Sequence, residues 1–255
     1  MVCEIINLMY LNGALDPVTK AIVSQFSENV YFGKPCGLLD QSGIALGSLS
    51  KLDFNQPEKP EIRTLSAPEG YTLVLTNTGG DHAKLTPHYA AIRSEMEQIA
   101  SHFGKKVLRD VCEKEFLEQM PALKEKFSSR AILRAIHFYN ENKRVDIAER
   151  AIDSGDVELF MQQIAGSGAS SMAVLQNCYV PGETNQPVML ALELSKQITT
   201  HSYFRVHGGG FAGSILAFVR NDEVDGYIAT MKKVFGENNV FSAKIRATGT
   251  CGYKL

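Results

Sequence analysis

Two short segments far apart in the 255-residue chain hold residue types that could do chemistry. The first is Cys36-Gly37-Leu38-Leu39-Asp40-Gln41, where a single carboxylate sits among small and apolar neighbours. Burial is expected for Asp40. An ionised carboxylate is rarely left buried alone, so Asp40 is either a paired structural group or a functional one. The second is His207-Gly208-Gly209-Gly210-Phe211-Ala212-Gly213, with four glycines in six positions. Glycine at this density implies positive φ or a close backbone approach, which suits a strand connection or a loop offered to a ligand. His207 reads as a strand-end histidine or a phosphate contact. His82 and His88 have no further ligands around them in sequence, so no metal site is expected.

These residues need elements to hold them. Tyr203-Phe204-Arg205-Val206 and Ser214 to Val219 read as strands on either side of the glycine run. Ahead of Asp40, Asp16-Pro17 supplies a cap and a first-turn proline for a helix with Val18, Ile22, Phe26 and Val30 at i+4 intervals. Val2, Ile5, Ile6 and Met9 recur at helical spacing and predict a core helix that begins with no residue to cap it, as if something once preceded it. Strands are expected at 44–54 and 71–76, separated by a polar stretch at 55–61. The second ends in Asn77-Thr78-Gly79-Gly80-Asp81-His82 and feeds a helix opened by Thr86-Pro87. Tyr89 lies in its first turn, Ile92, Met96, Ile99 and Phe103 line its buried face, and Gly104 closes it. A polar loop feeding a helix start is a common place for small-molecule contacts.

Further on, helices are predicted from Ser129 to Ile152, after an Asp156 cap, at 186–198 and along Val224, Tyr227, Ile228, Met231 and Phe235. Gly166 to Ser171 reads as a linker, and 240–247 as the closing strand. The order predicts an α+β fold, an antiparallel sheet with helices on one face.

With 26 basic and 28 acidic residues, net charge −2, the chain has no electrostatic footprint for nucleic acid or an anionic membrane. A span would need about 20 apolar residues, which the N-terminal segment with Glu4 and Asn12-Gly13 does not provide. Five scattered cysteines without a Cys-x-x-Cys pair suit free thiols in a reducing, cytoplasmic compartment.

The motifs resemble a known family. Cys36 to Gln41 is similar to the Cys-Gly-Ile-Met-Asp-Gln signature of galactokinases, and His207 to Gly213 to their C-terminal Gly-Gly-Gly-Phe-Gly-Gly motif. Glu28-Asn29-Val30-Tyr31-Phe32-Gly33, Thr76-Asn77-Thr78 with His82, and Tyr89 appear in the expected order. The chain is identified as a member of the galactokinase-like branch of the GHMP kinases over essentially its whole length. The resemblance implies that residues 1–70 are a remnant of the N-terminal domain carrying the catalytic aspartate, and that 71–255 are the C-terminal domain.

It further implies that Asp40 is the catalytic residue that takes the proton of a sugar's anomeric hydroxyl, and that Gly37, Asp40 and Tyr89 bind the sugar. Gly208, Gly209 and Gly210 fall on the turn bordering the cofactor side of the cleft, with ATP and Mg2+ as cofactors and galactose or a close sugar as substrate. The departures are His207 for a small polar residue, Ala212 for glycine and Leu39 for methionine. The Arg-Val-Asn-Leu-Ile-Gly-Glu-His-like motif and the Gly-Leu-Ser-Ser-Ser-Ala phosphate cradle have no counterpart in the sequence, so the chain reads as a truncated C-terminal portion.

Positioning and charge stabilisation carry phosphoryl transfer, so these residues alone are expected to be inactive, with the activity residing in a longer parent. The alternative is a non-catalytic sugar sensor or a split-gene partner derived from a galactokinase. An exposed apolar surface is expected where the missing N-terminal strands would pack, suited to a complementing N-terminal fragment or to self-association.

Overall fold

The computed structural model describes residues 1–33, 36–80 and 85–252, which form two units: Met1–Ala67 joined by the segment from Ile245, and Pro68–Lys244. In the first unit, helix α1 (Val2–Tyr10) turns its polar side inward. Glu4 and Asn7 are its buried residues, whereas Val2, Ile5, Ile6 and Met9, the expected core face, are exposed. The reason is local pairing: Glu4 Oε2 lies 2.5 Å from Lys20 Nζ, and Asn7 Oδ1 accepts the Leu15 N–H at 3.0 Å. Both partners face α1 from the segment around α2 (Pro17–Phe26), so the polar stripe is the one that can be satisfied against it.

Asp16 caps α2 as its sequence requires, accepting the N–H groups of Val18 and Thr19. Of the four i+4 apolar positions, Phe26 and Val30 are exposed. A π-turn at Ser27–Tyr31 follows, then α3 (Leu39–Leu46). Residues 44–46 are therefore helical rather than part of a strand. Gly47 ends the helix at φ +69, β1 (Leu49–Asp53) starts two residues later, and it pairs antiparallel with β2 (Glu61–Leu65) with Leu49 opposite Leu65. The second of these strands was not anticipated from the sequence.

The second unit is built on a four-stranded sheet. Its elements are β3 (Tyr71–Asn77), α4 (Thr86–His102), α5 (Glu113–Glu118), α6 (Met120–Lys126), α7 (Ser129–Asp153), α8 (Val157–Ser170), α9 (Pro187–Ile198), β4 (Tyr203–Val206), β5 (Ser214–Arg220), α10 (Val224–Phe235) and β6 (Val240–Ala243). The order across the sheet is β4-β5-β3-β6, every pair antiparallel. The fold is α+β. Alternation along β5 turns Ile215, Ala217 and Val219 toward Val188 and Leu192 of α9 and Tyr227 and Met231 of α10. On the alternate pleat, Phe218 meets Phe160 of α8 edge-on with ring centres 6.2 Å apart. A second core gathers Ile99 of α4, Phe116 of α5, Leu123 of α6 and Ala135 of α7.

Gly166 to Ser170 lie within α8, and Ser171–Leu175 form a π-turn after it, so this segment is not a linker. Its small residues serve close packing. A Cβ on Gly168 would lie 2.5 Å from the Phe204 carbonyl oxygen of β4. The closing strand stops at Ala243 rather than Ala247. Among the described residues no helix is long and apolar enough to cross a membrane.

Candidate functional site

In the first unit, the segment before Asp40 is gripped by its backbone. Asn29 Oδ1 accepts the Cys36 N–H at 2.7 Å, its Nδ2 donates to the Cys36 carbonyl at 3.3 Å, and Gln25 Nε2 donates to the same oxygen at 3.2 Å. The Glu28 to Gly33 segment thus has a mechanical role, because Asn29 fixes where α3 begins. Gly37 is exposed, with open space where a Cβ would stand.

Asp40 occupies the first turn of α3 and is exposed, against the burial expected of it. The helix buries Leu38, Ser42 and Ala45, and at 3.6 residues per turn Asp40 projects from the opposite side. Its carboxylate is therefore open to a reactant. Next to it, Gln41 Nε2 donates to Cys36 Sγ at 3.3 Å, while Gln41 Oε1 is buried without a hydrogen-bond partner. Gln41 borders a cavity of about 170 Å3 that is also lined by Cys3, Glu4, Lys20 and Ala45. The Lys20 ammonium holds the Glu4 carboxyl below its usual value.

In the second unit, the glycine run is the hairpin loop between β4 and β5, closed by the His207 N–H donating to the Ser214 carbonyl at 2.9 Å. Its carbonyls are taken up one by one. Asn177 Nδ2 donates to Gly209 O at 3.1 Å, the Tyr89 hydroxyl to Gly210 O at 2.9 Å, and Thr78 to Gly213 O through its N–H at 2.8 Å and its hydroxyl at 2.7 Å. Gly208 and Gly210 sit at φ +70 and +83, and Phe211 follows at φ +61, a conformation that bulky residues adopt only under constraint. The constraint is visible: Phe211 is buried and its ring lies 5.4 Å from those of both His88 and Tyr89.

Tyr89 is half-buried, and burial raises its hydroxyl pKa. A Cβ on Gly209 would come within 2.8 Å of its ring, so Tyr89 shapes the loop whatever else it touches. His207 is exposed, and His82 lies outside the described residues. Asn177 was not anticipated, since a lone asparagine after a helical stretch carries no pattern. Thr78 was visible only as part of a motif. Among the described residues no group of three His, Cys, Asp or Glu side chains could hold a metal ion.

No protein-family model matches the chain. It is similar to the galactokinase of Glaesserella parasuis serovar 5 (strain SH0165), 31% identical over 218 residues, which covers 86% of this chain and 54% of that protein. The galactokinase of Actinobacillus pleuropneumoniae serotype 5b (strain L20) is 30% identical over 229 residues, 89% of this chain and 57% of the relative. The chain spans about half the length of the curated relatives it matches. Among solved structures, Lactococcus lactis galactokinase complexed with galactose superposes with a TM-score of 0.77 at 22% identity, covering 97% of this chain and 64% of that one. L. major mevalonate kinase in complex with R-mevalonate matches with a TM-score of 0.55 at 12% identity, covering 91% and 59%. The fold is shared with these two proteins.

Proposed function

We propose, for a chain that is a homologue of galactokinases over most of its length, that the protein it serves transfers the γ-phosphoryl group of ATP to the anomeric hydroxyl of galactose or a close sugar. The similarity to galactokinases carries this reading, and the exposure of Asp40 at the start of α3 supports it. Phosphoryl transfer needs the attacking oxygen held in line and its proton given to a nearby base. Asp40 is that base in this reading, with Gly37 leaving room for the sugar beside it. Tyr89 binds the sugar in this reading, its ring fixed by the glycine loop, and Gly208, Gly209 and Gly210 bind the nucleotide. Residues 1–70 act as the part bearing the base and 71–255 as the C-terminal domain, whose last segment, from Ile245, belongs to the first compact unit.

ATP would supply the phosphoryl group and Mg2+ would neutralise its charge. The described residues do not fit as a cage for the metal. Magnesium usually rides on nucleotide phosphates with one or two carboxylates, and no step is assigned to it here. These 255 residues by themselves are inactive in this reading, because neither a cationic partner for Asp40 nor a phosphate cradle is found among their motifs. A complementing polypeptide, corresponding to the part of the relatives that this chain does not match, restores both, and the reaction takes place in the cytoplasm.

The test is ADP release with a panel of hexoses. The chain alone gives none, and the chain co-expressed with the unmatched portion of a curated relative gives turnover that is fastest on galactose. Absence of turnover on every hexose in the combined preparation would sink the kinase reading.

A further inference from the structure

Asn177 is 3% exposed and lies just beyond the Ser171–Leu175 π-turn, after Gln176 in a left-handed conformation at φ 62. Its N–H donates to the Ser171 carbonyl at 3.2 Å, and its own carbonyl accepts the Phe211 N–H. Its side-chain Nδ2 donates to Gly209 O at 3.1 Å. One residue therefore holds the glycine loop on both sides of Gly210. The fit is close, since a Cβ on Gly210 would stand 2.6 Å from Asn177 Nδ2. Of the two ends of the Asn177 amide only the nitrogen can donate to the Gly209 carbonyl, so the orientation of the side chain is specified by its partner.

The support behind Asn177 is rigid as well. Arg134, 2% exposed, donates from Nε to the Leu175 carbonyl at 3.2 Å and from Nη1 to Glu95 Oε2 at 2.9 Å. Arg130 pairs with the other oxygen of Glu95. Tyr89 and Thr78 also bind the loop, through hydrogen bonds to the Gly210 and Gly213 carbonyls. Among the described residues Asn177 is the one that takes both a carbonyl and an amide of it.

We propose that Asn177 is a positioning residue that sets the shape of the turn from Gly208 to Phe211 and, through it, the nucleotide contacts of Gly208, Gly209 and Gly210. The second half of this statement rests on the kinase reading above. A buried donor that fixes a loop acts on catalysis through geometry, where misplacement of about 1 Å can cost on the order of 10²-fold in rate.

Asn177→Asp tests it, because it keeps the size of the side chain and places an acceptor where the donor stood. In the 255-residue chain, amide exchange at Gly209 to Ala212 is expected to quicken by about tenfold or more, with exchange at Leu216 to Val219 unchanged. In the combined preparation, kcat is expected to fall about tenfold with the KM for ATP within about twofold. Should the aspartate variant fail to fold, Asn177→Ser retains a short donor, and smaller changes of the same pattern are expected. Unchanged loop exchange overturns the proposal. So does exchange raised evenly across β3 to β5, which marks general destabilisation, and so does faster loop exchange with unaltered kcat. If the unsubstituted protein turns over no hexose, the kinase reading falls and loop exchange alone decides the clamp.

Discussion

Asp40, two glycines of the loop and His137 show how much of this molecule is decided residue by residue. Asp40 is exposed on the side of α3 opposite its buried stripe, so Asp40→Asn should leave the stability of the chain, read by urea unfolding, within about 0.5 kcal/mol of the original. The same change should lower turnover of the combined preparation by about 10²–10⁴-fold, and retained turnover would remove Asp40 from the role of base. Gly210 is the opposite case: φ +83 and the proximity of Asn177 both forbid a side chain. Gly210→Ala should cost about 1–3 kcal/mol by urea unfolding. Gly208→Ala, with φ +70 and open space around it, should cost only the left-handed strain of about 1 kcal/mol. His137 gives a pH signature. It is 8% exposed, shares a hydrogen bond of 2.9 Å with Ser170 Oγ, and burial lowers its pKa from 6.5, with Arg205 and Arg144 acting in the same direction and Glu141 against it. Below pH 6.5 the unfolded chain takes up a proton that the folded one refuses, so stability is full above that value and falls as the pH drops toward the lower folded value. Urea midpoints measured from pH 7.5 to 5.5 should decline, and His137→Gln should flatten the decline.

At the scale of elements, caps and periodicity were legible and burial direction was not. Asp16-Pro17 announced α2, and the structure places Asp16 Oδ1 on the N–H groups of Val18 and Thr19 at 2.9 and 3.1 Å. Asp16→Ala should therefore cost about 1 kcal/mol, read as a lower urea midpoint, and an unchanged midpoint would mean that the α2 start contributes nothing to stability. The strands around the glycine run were equally plain, because alternation and turn residues agree there. The apolar spacing of α1 predicts the helix and turns its apolar stripe inward, whereas the polar stripe of Glu4 and Asn7 is the one buried. Periodicity locates a stripe without saying what it faces, and the pairing of Glu4 with Lys20 sixteen residues later has no local signal. Gly166 to Ser170 misled for a related reason: small residues weaken helix propensity, yet the close seat of Gly168 on β4 requires them. The glycine loop and Asp40 could be found by residue type, whereas the clamps behind the loop, Asn177 above all, depend on contacts made over 30 or more residues.

For the whole molecule, the two units differ in what they bury. The described residues of the second unit form two extended cores in which Val74, Val206, Ile215 and Met231 in one, and Ile99, Phe116 and Leu123 in the other, are essentially inaccessible. Among the described residues of the first unit only Ala21, Leu38 and Ala45 are buried apolar side chains, while fourteen of the twenty exposed large hydrophobic residues described in the chain lie there. Removing apolar area from water contributes about 25 cal/mol per Å2, so the first unit has little with which to offset the entropy of ordering α1 to α3. Its amides in α1, α2 and α3 should therefore exchange at least about tenfold faster than those of β3 and β5, and urea should melt it at a lower concentration than the sheet. The exposed residues give a second handle. Ile6→Lys and Phe26→Lys should leave both midpoints nearly unchanged, since these side chains are 48% and 62% exposed, and should reduce concentration-dependent association in light scattering. Covering the same residues by a complementing polypeptide should have the reverse effect on stability, raising the protection of α1 to α3 toward that of the sheet. Uniform exchange across both units, or a large loss of stability on either lysine substitution, would show that the first unit is held by interactions other than its three-residue core.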